Sequence, residues 1–141
     1  MNVQAAMTKG VETVPTTATI EEAAQKMRAL DVGFIPVSDA AGERLEGTIT
    51  DRDIAVRCVA AGQDPSIGRV DSILTDQTLY CFAGDDIGDA AESMAREKVY
   101  RLLVLDDAES KNLVGVVTLN DIMRHGKEDL AQRVSRVIAE G

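Results

Sequence analysis

GTITDRDI at residues 47–54 and GVVTLNDI at residues 115–122 carry glycine, threonine, aspartate and isoleucine at the same four places. Working outward, Leu45 falls on Leu113 with the same shift of 68. Upstream of the intervening turn the shift becomes 67, and Val3, Thr8, Ile20, Ala23, Ala24, Met27, Val32, Val37 and Asp39 fall on Val70, Thr75, Ile87, Ala90, Ala91, Met94, Val99, Val104 and Asp106. The chain is a duplication whose second copy has one extra residue in a turn. A period this long, present only twice, suits neither a solenoid nor a propeller, which need three or more units to cover their faces. Two units of this size predict a pseudo-twofold pair sharing one core.

Each copy reads as β-α-β-β-α. Thr19 and Glu22 fit a capping box, and Ile20, Ala23, Ala24, Met27 and Leu30 form the apolar stripe of a helix of about 12 residues. Residues 32–38 are apolar and partly β-branched, and after the turn residues 39–42 a second strand runs from 45 to 50, so the two make a hairpin. Pro36 cannot donate to a ladder, which puts its strand at an edge or leaves it paired on one side there. Thr50 caps a second helix over 51–61, ended by Gly62, and Asp64 with Pro65 restarts the pattern as cap and first helical residue. The second copy repeats this: a short strand over 78–82, a helix over 86–98, strands over 101–105 and 113–117, and a helix from Leu119. The expected class is therefore α+β, with a first repeat over 1–63 and a second over 64–126. Residues 127–141 follow, with Leu130, Val134, Val137 and Ile138 on one face of an amphipathic helix running from 127 to 140.

Composition narrows the function. Of 141 residues, 15 are Lys or Arg and 24 Asp or Glu, a formal charge of -9, which argues against nucleic acid or an anionic membrane surface as the partner. No stretch of eighteen apolar residues and no charged leader followed by an apolar run occurs, so the expected location is the cytoplasm. Cys58 and Cys81 are too far apart for a C-x-x-C motif and there is a single histidine, so no metal site is expected. Both thiols read as core packing, with a redox role left open. No P-loop, G-x-G-x-x-G or G-x-S-x-G motif is present, and His125 sits where it serves a helix end. No catalytic residues are assigned and the chain is not expected to be an enzyme.

The doubled βαββα unit, the segment VGFIPVSD at 32–39 and G-x-x-T-x-x-D closing both copies resemble a tandem pair of CBS domains, often called a Bateman module. The likeness covers nearly the whole chain. It is nearest to the small stand-alone bacterial members, whose sequences TDRDIAVRCVAAGQDP at 50–65 also resembles. The resemblance implies two repeats packed sheet to sheet, two clefts related by a pseudo-twofold axis, and adenosine nucleotides (AMP, ADP or ATP, with or without Mg2+) bound there without any required cofactor. It implies that Ile35 and Pro36, Leu102 and Leu103, and Val14 or Cys81 hold the adenine. It places Arg101, whose counterpart is Phe34, where many relatives put a phosphate-contacting base. It also implies a homodimer paired through helices, here over 54–59 and 122–123, and a protein partner of unknown identity that reads the ligand.

The repeated motif has chemistry of its own. Thr50 with Asp53, and Thr118 with Asp121, set a hydroxyl and a carboxylate one turn apart beside the unpaired amides of a helix start, an arrangement that attracts phosphate. The carboxylate can accept from both ribose hydroxyls and the threonine can donate to a phosphate or sugar oxygen. Gly47 and Gly115 leave room for close approach to the strand backbone, by a ligand or at a strand kink. Asp51 and Asp53 crowd the first motif with two carboxylates while Leu119 and Asn120 leave Asp121 alone at the second, so the second cleft is expected to bind a nucleotide more tightly. T-x-x-D is equally a plain helix cap. A ligand-free dimeric interaction or stress-response scaffold is the alternative, since Leu103 replaces a proline usual in relatives and Phe34 a basic residue.

Overall fold

A computed structural model describes residues 1–76, 78–125 and 128–140, without the side chains of 128, 130, 131 and 140. In chain order the elements begin with α1 (Val3–Ala6), β1 (Val14–Pro15), α2 (Ile20–Leu30), β2 (Phe34–Ser38), β3 (Leu45–Thr50) and α3 (Asp51–Asp53), which continues as a π-helical stretch over Ile54–Val59. They continue with a 3-10 turn at Val70–Ser72, β4 (Tyr80–Phe82), α4 (Ile87–Glu97), β5 (Arg101–Leu105), β6 (Leu113–Thr118), α5 (Leu119–Arg124) and α6 (Glu128–Glu140). The class is α+β, with two mixed three-stranded sheets, β1-β2-β3 and β4-β5-β6, each having one parallel and one antiparallel pair.

The expected helices form for the expected reasons. Thr19 Oγ1 accepts from the Glu22 amide at 3.1 Å, the threonine half of a capping box. Asp86 caps α4 through the Gly88 amide at 2.8 Å. Both helices stop on a left-handed residue at corresponding positions, Asp31 (φ 55) and Lys98 (φ 57), as an αL cap requires. The apolar stripe of each is buried: Ile20, Ala23 and Met27 in α2, Ile87, Ala90, Ala91 and Met94 in α4.

One local expectation is met in its second form and one is corrected. Pro36 lies in the central strand of its sheet but is paired on one side only, as the missing N–H requires: β1 pairs only with Val37 and Ser38, leaving Pro36 opposed by Thr48 of β3 alone, so no ladder bond is missing. Asp64 and Pro65 do not start a helix. The Asp64 carboxylate accepts from the Ser66 amide at 2.9 Å and hydroxyl at 2.7 Å, closing a local turn that competes with helix, and Gly68 donates back to the Asp64 carbonyl.

The packed units are not the stretches that repeat in sequence. One unit comprises residues 12–78, the other residues 1–11 together with 79–141. The opening segment of each repeat has crossed to the other unit, and corresponding hydrogen bonds hold it there. Val3 donates to Asp85 O, and Val70 to Ala18 O, both at 2.8 Å; Ile87 donates to Met1 O and Ile20 to Gly68 O. Thr8 pairs with Val116, and Thr75 with Thr48, through reciprocal amide–carbonyl bonds. Val3 and Val70 are both fully buried. Since buried backbone groups need partners, these bonds fix where each opening segment docks.

The unit 79–140 carries α6, which packs on α4 and α5. Val134 is 1% exposed within the core formed by Ala91, Met94 and Ile122, with Ile138 against it. Val137, expected on the buried face, is exposed, because the buried stripe of α6 follows 134 and 138, one turn apart. Lys127 and the Leu130 side chain lie outside the described residues. Cys58 and Cys81 are buried and unbridged, as expected of core thiols.

Candidate functional site

Both T-x-x-D motifs form complete, reciprocal capping boxes at a strand-to-helix junction. In the first, Thr50 Oγ1 accepts from the Asp53 amide and Asp53 Oδ2 from the Thr50 amide, both at 3.0 Å. In the second, Thr118 Oγ1 accepts from the Asp121 amide at 3.1 Å and Asp121 Oδ2 from the Thr118 amide at 2.9 Å. The threonine hydroxyls accept here, so their protons remain available to donate. Both carboxylates are buried, Asp53 at 8% and Asp121 at 1% exposure.

What surrounds each carboxylate differs. Asp53 also receives the Thr75 hydroxyl, 3.3 Å from Oδ1 and 3.2 Å from Oδ2, and Arg57 stands 3.9 Å from its Oδ1. Asp121 is paired with Arg124 one turn along, whose side chain is otherwise largely exposed. Sequence reasoning missed Thr75, Arg57 and Arg124. The signals were there: a base three or four residues after each aspartate lies over it on a helix, and Thr75 is the duplicate of Thr8.

At the first motif the amides do not wait for an anion. Asp51 N donates to Gly33 O at 2.9 Å, Arg52 N to the Asp51 carboxylate at 2.8 Å and Asp53 N to Thr50. The expectation of open amides inviting phosphate is therefore corrected at α3: backbone and side chains of the same unit satisfy them. At the second motif Leu119 N donates to Tyr100 O, but leucine in place of Asp51 leaves no carboxylate to fold over the Asn120 amide.

Gly47 and Gly115 leave room for the chain itself. A Cβ on Gly47 would stand 2.5 Å from Thr75 O and 2.8 Å from Leu74 Cδ1; on Gly115, 2.7 Å from both Thr8 O and Met7 Sδ. The crossed-over segments fill the space expected for a ligand. Each glycine also lies beside a register shift in its hairpin, which matches the strand-kink reading.

The remaining residues divide by strand face. Ile35 and Val14, and Leu102 and Cys81, are members of the two core clusters. Pro36 and Leu103, one residue on, lie on the opposite strand face, also buried. Arg101, exposed, opposes Thr118 across the β5–β6 ladder, and Phe34 opposes Thr50 across β2–β3, so each stands with the motif of its own unit. Burial, aided by the Asp85 charge, pushes the Cys81 thiol up to about 12, which keeps it protonated and unreactive at neutral pH. His125 is the C-cap of α5 and donates its amide to Asp121 O. Among the described residues no group of three or more His, Cys, Asp or Glu could hold a metal ion, and no helix is long and apolar enough to cross a membrane.

A duplicated βαββα unit whose copies exchange their opening segments, each closing on a buried Thr–Asp box, defines a tandem α+β module built around repeated strand-to-helix junctions. The chain belongs to the CBS domain family, which matches residues 3–59 and 70–128. It is similar to Hypoxic response protein 1 of Mycobacterium tuberculosis, 36% identical over 119 residues that make up 84% of this chain and 80% of that protein. Among solved structures it resembles Hypoxic Response Protein I with two coordinated zinc ions (34% identity, TM-score 0.74, 89% of this chain and 98% of that one). It also resembles the CBS domain protein PAE2072 from Pyrobaculum aerophilum complexed with AMP (25% identity, TM-score 0.73, 94% of this chain and 99% of that one).

Proposed function

We propose that this chain is a non-catalytic regulatory module that binds an adenosine nucleotide (AMP, ADP or ATP, the latter two with or without Mg2+) and passes the bound state to a protein partner. The observation that carries the reading is the AMP complex of PAE2072, whose fold this chain follows over nearly its full length. In each unit, Thr50 with Asp53 and Thr118 with Asp121 serve the ribose and phosphate, Pro36 and Leu103 lie against the adenine, and Arg101 reaches the phosphate. Ile35, Leu102, Val14 and Cys81 support that surface from the core. The module works as a homodimer in the cytosol, where both thiols stay reduced.

A thermal-shift panel of AMP, ADP, ATP, S-adenosylmethionine and NADH tests the reading. An adenosine nucleotide raises the melting temperature with a saturable dependence; a flat response to all five hands the case to a ligand-free scaffold. That second reading is favoured by one observation, the internal satisfaction of the α3 amides.

A further inference from the structure

The duplication sets one side chain against its copy. Thr75 and Thr8 hold corresponding places in the two opening segments, and each bonds reciprocally to a hairpin strand, Thr75 to Thr48 of β3 and Thr8 to Val116 of β6. Their hydroxyls end differently. The Thr75 hydroxyl lies 3.3 Å from Oδ1 and 3.2 Å from Oδ2 of Asp53, donating between the two carboxylate oxygens. Thr8 is exposed, and among the described residues its hydroxyl makes no hydrogen bond to Asp121.

Arg57 holds the first contact in place. From the π-helical stretch after α3, its guanidinium donates to the Ile73 and Leu74 carbonyls at 3.3 and 3.4 Å, tying the segment that carries Thr75 to the helix that carries Asp53. A hydroxyl donating between both oxygens of a carboxylate makes the bond that a ribose hydroxyl would make there. Asp53 therefore already takes, from its own unit, a donor of the kind a nucleoside would bring.

We propose that Thr75 is a built-in competitor for Asp53: its hydroxyl occupies the place of a ribose hydroxyl, so the site of the unit 12–78 admits only a ligand that displaces it, while Thr8 places no such contact on Asp121. This rests on the adenosine nucleotide reading above and names what governs one of its two sites. Calorimetry with AMP tests it, in an Asp121→Ala background that leaves Asp53 as the remaining motif carboxylate. Thr75→Val keeps the side-chain shape, removes the donor and binds AMP about tenfold more tightly than the background, the worth of one hydrogen bond to a charged group. Thr75→Ser keeps the hydroxyl and binds as the background does. A ligand without ribose hydroxyls, 2′,3′-dideoxy-AMP, gains nothing from Thr75→Val. In an Asp53→Ala background, Thr8→Val brings no gain in AMP binding.

AMP binding by the unsubstituted chain, with no gain or a loss from Thr75→Val, overturns the competitor and leaves the nucleotide reading standing; a loss makes the hydroxyl a ligand contact. An equal gain for the dideoxy ligand also overturns it, and an equal gain from Thr8→Val overturns its assignment to the unit 12–78. Absence of AMP binding in both the unsubstituted chain and Thr75→Val defeats the nucleotide reading and the competitor with it. Thermal melting of each variant checks that it is folded.

Discussion

At the scale of single residues, Asp53 and Asp121 each do two jobs with one carboxylate. One oxygen returns the cap's amide bond, and the lone pairs left over are what a ribose can use. Asp53 shares these with Thr75 and with a distant Arg57, and Asp51 adds a second negative charge close by. Asp121 is paired with Arg124, on a flexible and mostly exposed side chain that can turn toward a phosphate. We therefore expect the Thr118–Asp121 site to be the tighter one. Losing a charge-assisted pair of hydrogen bonds costs about 1.5–3 kcal/mol, or roughly 10- to 150-fold in affinity. Calorimetry on Asp121→Ala shows a loss of that size and on Asp53→Ala a smaller one; the opposite order reverses the ranking. Loss of the cap itself costs about 1 kcal/mol, which leaves either variant folded for the measurement.

Gly47 is the other residue-scale test. A Cβ at 2.5 Å from a backbone carbonyl cannot be relieved by a rotamer change, so Gly47→Ala must push the 74–75 segment off β3. Overpacking of this kind costs about 1–3 kcal/mol. Thermal melting registers it as a fall of several degrees, whereas an unchanged midpoint shows that the segment was never tightly held.

At the scale of elements, α6 owes its place to packing more than to propensity, since an isolated helix of this length is marginal in water. Val134 is its buried anchor. Val134→Ala removes two buried carbons and leaves a cavity, costing about 2 kcal/mol, and lowers the melting temperature. Val137→Ala, on the exposed side of the same helix, changes it by less than about 0.5 kcal/mol. Equal effects from the two substitutions would mean that α6 does not dock on α4 and α5 in solution. The helices and hairpins themselves were legible because each carries its own signal: the caps at Thr19, Thr50, Asp86 and Thr118, the 3.6-residue stripe, the two apolar strand runs. Asp64 misled for the same reason in reverse, since its local signal as a helix cap does not say what Ser66 can donate; Pro36 signalled one-sided pairing but not that its strand is the central one, which depends on how short β1 is.

At the scale of the whole molecule, the nucleotide reading predicts a linkage that needs no knowledge of the site. A ligand that binds only the folded chain and is present at 100 times its dissociation constant stabilises it by about 2.7 kcal/mol. For a chain of this size that is a rise of several degrees in melting temperature. The titration should follow a single saturable curve if one site dominates and a biphasic one if both bind.

The sequence by itself determined the duplication, the α+β class, the order of elements in each copy and the two Thr–Asp junctions, because these rest on periodicity and on bonds between residues three or four apart. Only the tertiary structure decided which unit receives each opening segment, what fills the space above Gly47 and Gly115, which of the candidate residues lie in the core, and which helix-pair face α6 covers. Those outcomes depend on contacts between residues far apart in the chain. Val3 and Val70 carry the same side chain and the same local pattern, and nothing within either segment records which sheet will accept its hydrogen bonds.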